Sequence, residues 1–262
     1  MLRILWNSKS GMVANQDKLD SISNNLANVG TDGYKRVNVN FKSLMSETLN
    51  RQGYPITENG GRAQDPYTGT GVRSDVWTRE NTQGPLIDTK KHTDLAIEGE
   101  GYYRVVRGDG SEAYTRSGAF IVDEAGRLVD SRGNLLYVEY NDGFNSNNVN
   151  LSENNLTVDK NGNIFKNENN TTVQVGRIPV FNAFGSNGMM PVGESLYETS
   201  EGANLYEVQD SLIHQGFLEG SNVDMGKEFT DMILTQRAFE LSSRGLRTAD
   251  DMWGMVNNLR GR

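Results

Sequence analysis

A seven-residue apolar repeat runs along the first thirty residues of the chain and again along the last forty. Leu5, Met12, Leu19 and Leu26 are spaced by seven, with Ser8, Asn15, Ile22 and Val29 three positions further on, the a and d pattern of a helix that packs on another helix. Leu2, Ile4 and Val13 widen the stripe, while Lys9, Gln16, Lys18, Asp20 and Asn24 form a polar face. The pattern predicts a helix over about residues 3–29, roughly 40 Å long. Gly30 is placed to end it in the left-handed conformation. At the other end Met225, Met232, Phe239, Leu246 and Trp253 repeat by seven, and Ile233, Leu241, Met252, Val256 and Leu259 broaden the apolar surface. Asn222 or Asp224 can cap this second helix, and Asp224 and Glu228 put negative charge at its start. No proline follows Pro191, so about 35 residues, roughly 50 Å, can be continuously helical. The flanking heptad positions are small or polar (Thr235, Ser242, Ala249; Gln236, Ser243, Asp250), which permits close approach and defines register.

Between the two repeats the period falls to two, with turn residues at short intervals. Strands are expected at Leu95–Ile97, Tyr102–Val106, Ala113–Arg116, Phe120–Asp123, Arg127–Asp130, Leu135–Glu139, Leu156–Val158, Ile164–Phe165 and Val173–Phe181. Glu124-Ala125-Gly126 and Asn161-Gly162 sit where hairpin loops belong. Residues 141–155 read as a polar loop with little prospect of burial. Residues 46–75 carry Gly53, Pro55, Gly60, Gly61, Pro66, Gly69 and Gly71 and read as an extended arm, neither helix nor core strand. The expected class is α+β: an N-terminal helical segment (1–36), an extended arm (37–75), a central mainly-β domain (76–215) and a C-terminal helical segment (216–262), the two end helices pairing as a coiled coil. A heptad helix cannot bury its stripe alone, so the helices must pair with each other or with neighbouring molecules.

The composition fits an elongated, assembling molecule. Of 262 residues, 35% are hydrophobic and 23% charged, a polar composition for a compact enzyme yet too apolar for a wholly disordered chain. The net charge of −8 is spread without a basic cluster, which argues against nucleic acid or an anionic membrane as partner. The absence of cysteine removes disulfides, thiolate catalysis and cysteine-ligated metals. The start of the chain lacks the apolar core of a cleavable secretory signal, and no stretch approaches the length of a membrane span.

No catalytic constellation stands out. His92 and His214, the two histidines, lack the spacing of a metal pair or a triad. Gly99-Glu100-Gly101 is followed by Arg104 and no βαβ unit, so it reads as a turn where backbones approach. Asp159-Lys160-Asn161-Gly162-Asn163 alternates oxygen donors, but the twelfth position is Asn170 and the glycine falls fourth, which favours a hairpin over a calcium loop. No cofactor and no enzymatic activity are expected.

Several stretches resemble one family. Asn24-Asn25-Leu26-Ala27-Asn28 followed by Thr31-Asp32-Gly33-Tyr34-Lys35 is similar to the N-terminal motif of the flagellar rod and hook proteins. Gln215-Gly216-Phe217-Leu218-Glu219 with Ser221-Asn222-Val223-Asp224, and Met232-Ile233 with Gln236-Arg237-Ala238-Phe239-Glu240, resemble that family's C-terminal motifs. In the middle, Asp94-Leu95-Ala96-Ile97 with Gly99, Gly101, Tyr102 and Tyr103, and Tyr114-Thr115-Arg116 with Gly118 and Phe120, resemble its central segments. Gly69-Thr70-Gly71-Val72-Arg73 and the long arm before it look like the distal-rod branch.

The resemblance implies a structural subunit, exported by the flagellar type III apparatus without a cleavable signal, that stacks with copies of itself and with adjacent rod and hook proteins. The implied location is the basal-body rod in the cell envelope. A helical tube of this kind would transmit torque. The residues expected at the assembly interface are Leu5, Met12, Leu19, Ile22, Asn25, Leu26 and Asn28 from the first helix, and Met225, Phe229, Met232, Gln236, Phe239, Leu246 and Trp253 from the second. A proximal rod or hook subunit, a peptidoglycan-acting enzyme and a coiled-coil adhesin are the alternatives. The end helices are expected to be largely disordered before assembly.

Overall fold

The computed structural model describes residues 2–44, 46–48, 67–146, 148–168, 171–185, 188–193, 195–200 and 202–260. The chain forms two compact units. One contains residues 1–27, 37–80 and 224–262, the other residues 28–36 and 81–223.

The first unit holds helix α1 (Leu2–Ala27), strands β1 (Val37–Ser43), β2 (Ser46–Thr48), β3 (Tyr67–Gly69) and β4 (Val72–Arg79), and helix α2 (Met225–Arg260). Both helices fall where the seven-residue repeat puts them. Asp224 caps α2: its Oδ1 accepts from the backbone N–H groups of Gly226 at 2.9 Å and Lys227 at 3.2 Å. The arm differs from its sequence reading. Its flanks are antiparallel strands, β1 on β4 and β2 on β3, while residues 49–66 lie outside the described residues. Backbone pairing needs no apolar side chains, so a Gly-rich, polar ribbon can still be a ladder.

α1 is fastened to this ribbon by polar side chains. Ser21 Oγ donates to Val37 O at 2.8 Å, Lys18 Nζ to Asn38 Oδ1 at 2.6 Å, and Ser74 Oγ to Asp17 Oδ2 at 2.5 Å. Asn25 bonds both backbone groups of Val37, accepting from its N–H and donating to its carbonyl, each at 2.9 Å. An asparagine amide used this way substitutes for a strand neighbour.

The second unit is the β domain. It comprises β5 (Leu86–Asp88), β6 (Leu95–Glu98), β7 (Tyr102–Val106), β8 (Glu112–Thr115), β9 (Phe120–Val122), β10 (Leu128–Asp130), β11 (Leu135–Leu136), β12 (Glu139–Tyr140), β13 (Leu156–Val158), β14 (Asn163–Glu168) and β15 (Thr171–Arg177). It continues with β16 (Val180–Ala183), β17 (Met189–Gly193), β18 (Leu196–Thr199), β19 (Leu205–Glu207), β20 (Leu212–Gln215) and β21 (Phe217–Glu219). A nine-stranded sheet runs β17-β18-β8-β7-β11-β10-β9, with β16 joining β7 to β19, and a four-stranded sheet runs β12-β15-β14-β13. β20 pairs with β6, and β21 with β5. Leu95, Ile97, Tyr103, Val105, Phe120, Leu156, Ile164 and Ile178 are among the buried residues of one continuous core.

Five sequence expectations change here. The strand expected over Leu135–Glu139 is two short strands in different sheets, because the chain leaves β7 after Leu136 and pairs with β15 from Glu139. The strand expected over 173–181 is two strands, because Pro179 has no N–H to continue the ladder. The segment before α2 is not helical: Phe217–Glu219 pairs with β5. The loop 141–155 is not wholly solvated, since Val149 and Leu151 enter the core and Leu151 N–H bonds Gly126 O. Finally, the glycine in the left-handed conformation after α1 is Gly33, at φ 67°, and not Gly30. The helix stops at Ala27, a turn closes from Thr31 N–H to Asn28 O, and reversal falls at Gly33. A Cβ there would lie 2.8 Å from the Arg116 carbonyl carbon.

The turn readings of Gly99–Gly101 and Asn161-Gly162 match the structure. Gly99, Gly101 and Gly162 all have positive φ, and Asp159 N–H bonds Asn163 O across a β13–β14 hairpin.

Candidate functional site

The helices of the first unit lie antiparallel. Asn25 meets Glu228 (Nδ2 to Oε2, 3.2 Å), a Cβ built on Gly11 would be 3.9 Å from Ser242 Cβ, and one on Gly245 would be 3.9 Å from Ser8 Cβ. The contacts descend α1 by fourteen and three residues while ascending α2 by the same steps, so they share one register. The inner column of α2 is therefore Glu228, Thr235, Ser242 and Ala249, again spaced by seven. Glu228 and Ala249 are fully buried. The Thr235 and Ser242 hydroxyls turn back onto their own helix, to Asp231 O at 2.6 Å and Ala238 O at 2.9 Å. The seam is thus built from the small and polar flanking positions.

The large apolar residues point elsewhere. Among the residues expected at the interface, Ile22 and Asn25 are buried, and Leu5, Met12, Leu19, Leu26, Asn28, Met232, Phe239 and Leu246 are half-buried. Met225, Phe229, Gln236 and Trp253 are exposed, Phe229 at 53%. Ile233 at 60%, Leu234, Leu241 at 66%, and Trp6 and Val13 on α1 join them. Because Ser8 is level with Gly245, α1 begins near the level of Asp251, and the last turns of α2 continue past it. Those turns carry Trp253, Met255, Val256 and Leu259, all exposed. These exposed apolar side chains run along both helices, which makes the helix surface the candidate interaction site.

The second unit contains a feature that the single-sequence reading did not isolate, a buried ion network. Lys35, Arg116 and Glu219 are each at most 4% exposed. Glu219 Oε1 accepts from Lys35 Nζ at 2.7 Å and from Gly84 N–H at 2.9 Å, and its Oε2 accepts from Arg116 Nε at 2.5 Å. Lys35 also donates to Thr82 O at 2.8 Å. Arg116 donates to the carbonyls of Ile97, Gly99 and Gly101. Nearby, Asn222 accepts from Arg36 N–H at 2.6 Å and donates to Thr82. Every ion has both a counter-charge and backbone partners, which is what burial of charge requires.

The electrostatics follow from one anion facing two cations. Burial pushes the Glu219 carboxyl up. The Arg116 charge, together with hydrogen bonds from Lys35, Arg116 and Gly84, outweighs burial and holds it below its ordinary value. Burial pushes the Lys35 ammonium down, and Glu219 only partly offsets this because Arg116 repels it. Burial also pushes up the phenol of Tyr103, whose hydroxyl has no hydrogen-bond partner among the described residues. The only signal of this network in the sequence is that Lys35, Arg116 and Glu219 each sit inside a motif stretch.

Among the described residues no three potential metal ligands cluster, and no helix is long and apolar enough to cross a membrane. His214 pairs with Glu98 at 2.6 Å. A cleft of about 260 Å³ is lined by Gly99, Gly101, Tyr102, Phe184 and Tyr206 together with Lys35 and Arg116, but both cations are engaged by Glu219 and carbonyls.

Three family signatures match in order along the chain: "Flagella basal body rod protein" over residues 5–35, "Flagellar hook protein FlgE/F/G D1 domain" over 96–169, and "Flagellar basal body rod FlgEFG protein C-terminal" over 214–259. The chain is 35% identical to the flagellar basal-body rod protein FlgG of Borreliella burgdorferi, with 99% of each chain covered. It is 32% identical to FlgG of Bacillus subtilis, covering 99% of this chain and 100% of the relative. A second Bacillus subtilis relative, the flagellar hook-basal body complex protein FlhP, is 29% identical over 99% and 100% of the two chains.

Proposed function

This chain belongs to the flagellar basal-body rod protein family, and from that premise we propose that it is the distal-rod subunit, stacking with copies of itself into a helical tube that transmits torque. As a member of that family it is a structural component of the flagellar basal body. The observation that carries the finer reading is the arrangement of the helix pair. The small, polar heptad column is spent inside the molecule, while Phe229, Ile233, Leu241, Trp253 and Leu259 stay exposed. In this reading α1 and α2 form a close antiparallel coiled coil whose apolar flanks are buried by neighbouring subunits. Heterologous contacts that do not close then propagate a filament. The proposed partners are further copies of this chain, the adjacent rod and hook proteins, and the flagellar type III export apparatus.

The larger identity to the rod protein than to FlhP within Bacillus subtilis supports the rod assignment over the hook-basal-body paralogue. The buried ions Lys35, Arg116 and Glu219 are engaged with one another and with backbone groups, which supports a structural role for them. Electron microscopy of purified basal bodies carrying a tagged chain tests the proposal. Label on the rod segment next to the hook is the expected result. Label confined to the proximal rod or the hook, or peptidoglycan cleavage by the purified chain, would contradict it.

A further inference from the structure

We propose that Asn222 is the latch of a three-way clasp that keeps the chain's connecting stretches from peeling off the β domain under load. The chain passes between its two units at 27/28, 36/37, 80/81 and 223/224. Inside the β domain the stretches beside these crossings, residues 28–36, 81–85 and 219–223, are bonded to one another. Gly33 N–H donates to Glu219 O at 2.7 Å and Asn222 N–H to Tyr34 O at 3.4 Å, joining the first stretch to the third. Gly220 N–H donates to Pro85 O at 2.8 Å and Gly84 N–H to Glu219 Oε1 at 2.9 Å, joining the third to the second. Lys35 Nζ, donating to Thr82 O at 2.8 Å, joins the first to the second.

The Asn222 side chain reaches both other stretches at once. Its Oδ1 accepts from Arg36 N–H at 2.6 Å, and its Nδ2 donates to Thr82 O at 3.1 Å and to Thr82 Oγ1 at 3.0 Å. Arg36 is the last residue before one crossing, Thr82 the second after another, and Asn222 the second last before the final one. One amide thus ties the three stretches where each leaves the domain. Gly84 and Gly220 leave no room for apolar packing at this place: a Cβ on Gly84 would lie 2.1 Å from Gly220 O. A group held by polar bonds at the edge of a core can open locally while the core stays folded. Bonds made at its open end therefore decide how readily the first step of opening occurs. That these stretches bear load rests on the torque-transmitting role proposed above, whereas the clasp is tested on the isolated chain, so the two can fail separately.

Native-state hydrogen exchange of the full chain reads the clasp directly. Asn222→Ala should speed exchange of the Gly33, Arg36, Gly84 and Gly220 amides about tenfold or more, while amides of the β7–β8 ladder stay within about threefold. Equal acceleration throughout the β domain, or none at the clasp, would overturn the latch. Should Asn222→Ala not fold, Asn222→Asp decides, because it keeps the acceptor for Arg36 N–H and lacks the donor to Thr82. Gly84 should then exchange about tenfold faster while Arg36 stays protected, and uniform exchange would again overturn the latch. Cells carrying the folded variant as their sole copy should swim with the parent in dilute medium and fall behind it as viscosity rises. Matched speeds at every viscosity would show that the clasp bears no load and would overturn the proposal. Absence of assembled rods, with the β domain folded, would assign Asn222 to assembly and equally overturn it.

Discussion

Lys35 Nζ and Glu219 Oε1 lie 2.7 Å apart although the residues are separated by 184 positions in the chain, and both side chains are buried. Lys35 belongs to the segment that follows α1, and Glu219 to the strand that precedes α2. The contact closes the β domain across nearly its whole sequence length. Arg116 supplies the second cation and ties the pair to the Gly99–Gly101 turn.

Removing the anion should be the most damaging change in this network. Glu219→Ala leaves two buried cations without a counter-charge and should destabilise the β domain by about 3–5 kcal/mol. Lys35→Met keeps the Glu219–Arg116 pair and should cost less, about 1–3 kcal/mol. Urea unfolding followed by circular dichroism measures both. A loss below about 1 kcal/mol for Glu219→Ala would contradict the role assigned to the network.

The same network sets a pH dependence. The folded-state pKa of Glu219 is lowered, so its stabilisation is fully present above the unfolded carboxylate value of about 4.3 and is lost as pH falls through the lower folded value. The folded-state pKa of Lys35 is also lowered, so its cost is fully present below that value and is relieved as pH rises toward the unfolded lysine range. Unfolding midpoints of the native chain and Glu219→Gln, measured from pH 7 downward, should converge as the solution becomes acidic. Parallel curves would exclude the linkage.

Tyr103 is fully buried with its hydroxyl unpaired among the described residues, while its ring packs edge-on to Phe120 at 5.5 Å. Tyr103→Phe keeps the ring contact and removes an unsatisfied polar group. It should leave stability unchanged or raise it by up to about 1 kcal/mol. A clear loss in thermal or chemical unfolding would show that the hydroxyl has a partner in solution.

Two glycines separate backbone approach from turn propensity. A Cβ on Gly118 would sit 1.5 Å from the Leu95 carbonyl oxygen, in the bridge that joins β6 to the β8–β9 connection, whereas Gly108 has open space around it. Gly118→Ala should cost more than about 3 kcal/mol, and Gly108→Ala should stay within about 0.5 kcal/mol. Comparable melting temperatures for the two variants would contradict the close approach.

The parts of the fold that repeat in sequence were legible. Both helices, the Asp224 cap and strands such as Leu95–Glu98, Tyr102–Val106 and Leu156–Val158 follow from period and turn chemistry. The parts that depend on distant partners were not. Phe217–Glu219 becomes a strand only because Leu86–Asp88 lies beside it, and Val149 and Leu151 are buried by neighbours that an Asn-rich loop does not advertise. Lys35, Arg116 and Glu219 look like solvated surface charges until three remote segments meet. Many of the repeat's large residues stay exposed beside the contact between α1 and α2, because a close helix approach selects Gly11, Ser242, Gly245 and Ala249 for its centre.

The central claim, assembly through the exposed flanks of the helix pair, is tested most directly by replacing flank residues that the isolated molecule does not need. Phe229 and Leu241 are more than half exposed, so Phe229→Asp combined with Leu241→Asp should leave the unfolding midpoint and the circular dichroism of the purified chain unchanged. Cells carrying this double variant as their sole copy should be non-motile, and their purified basal bodies should lack the distal rod and hook. Intact rods and normal swimming in those cells would contradict the account.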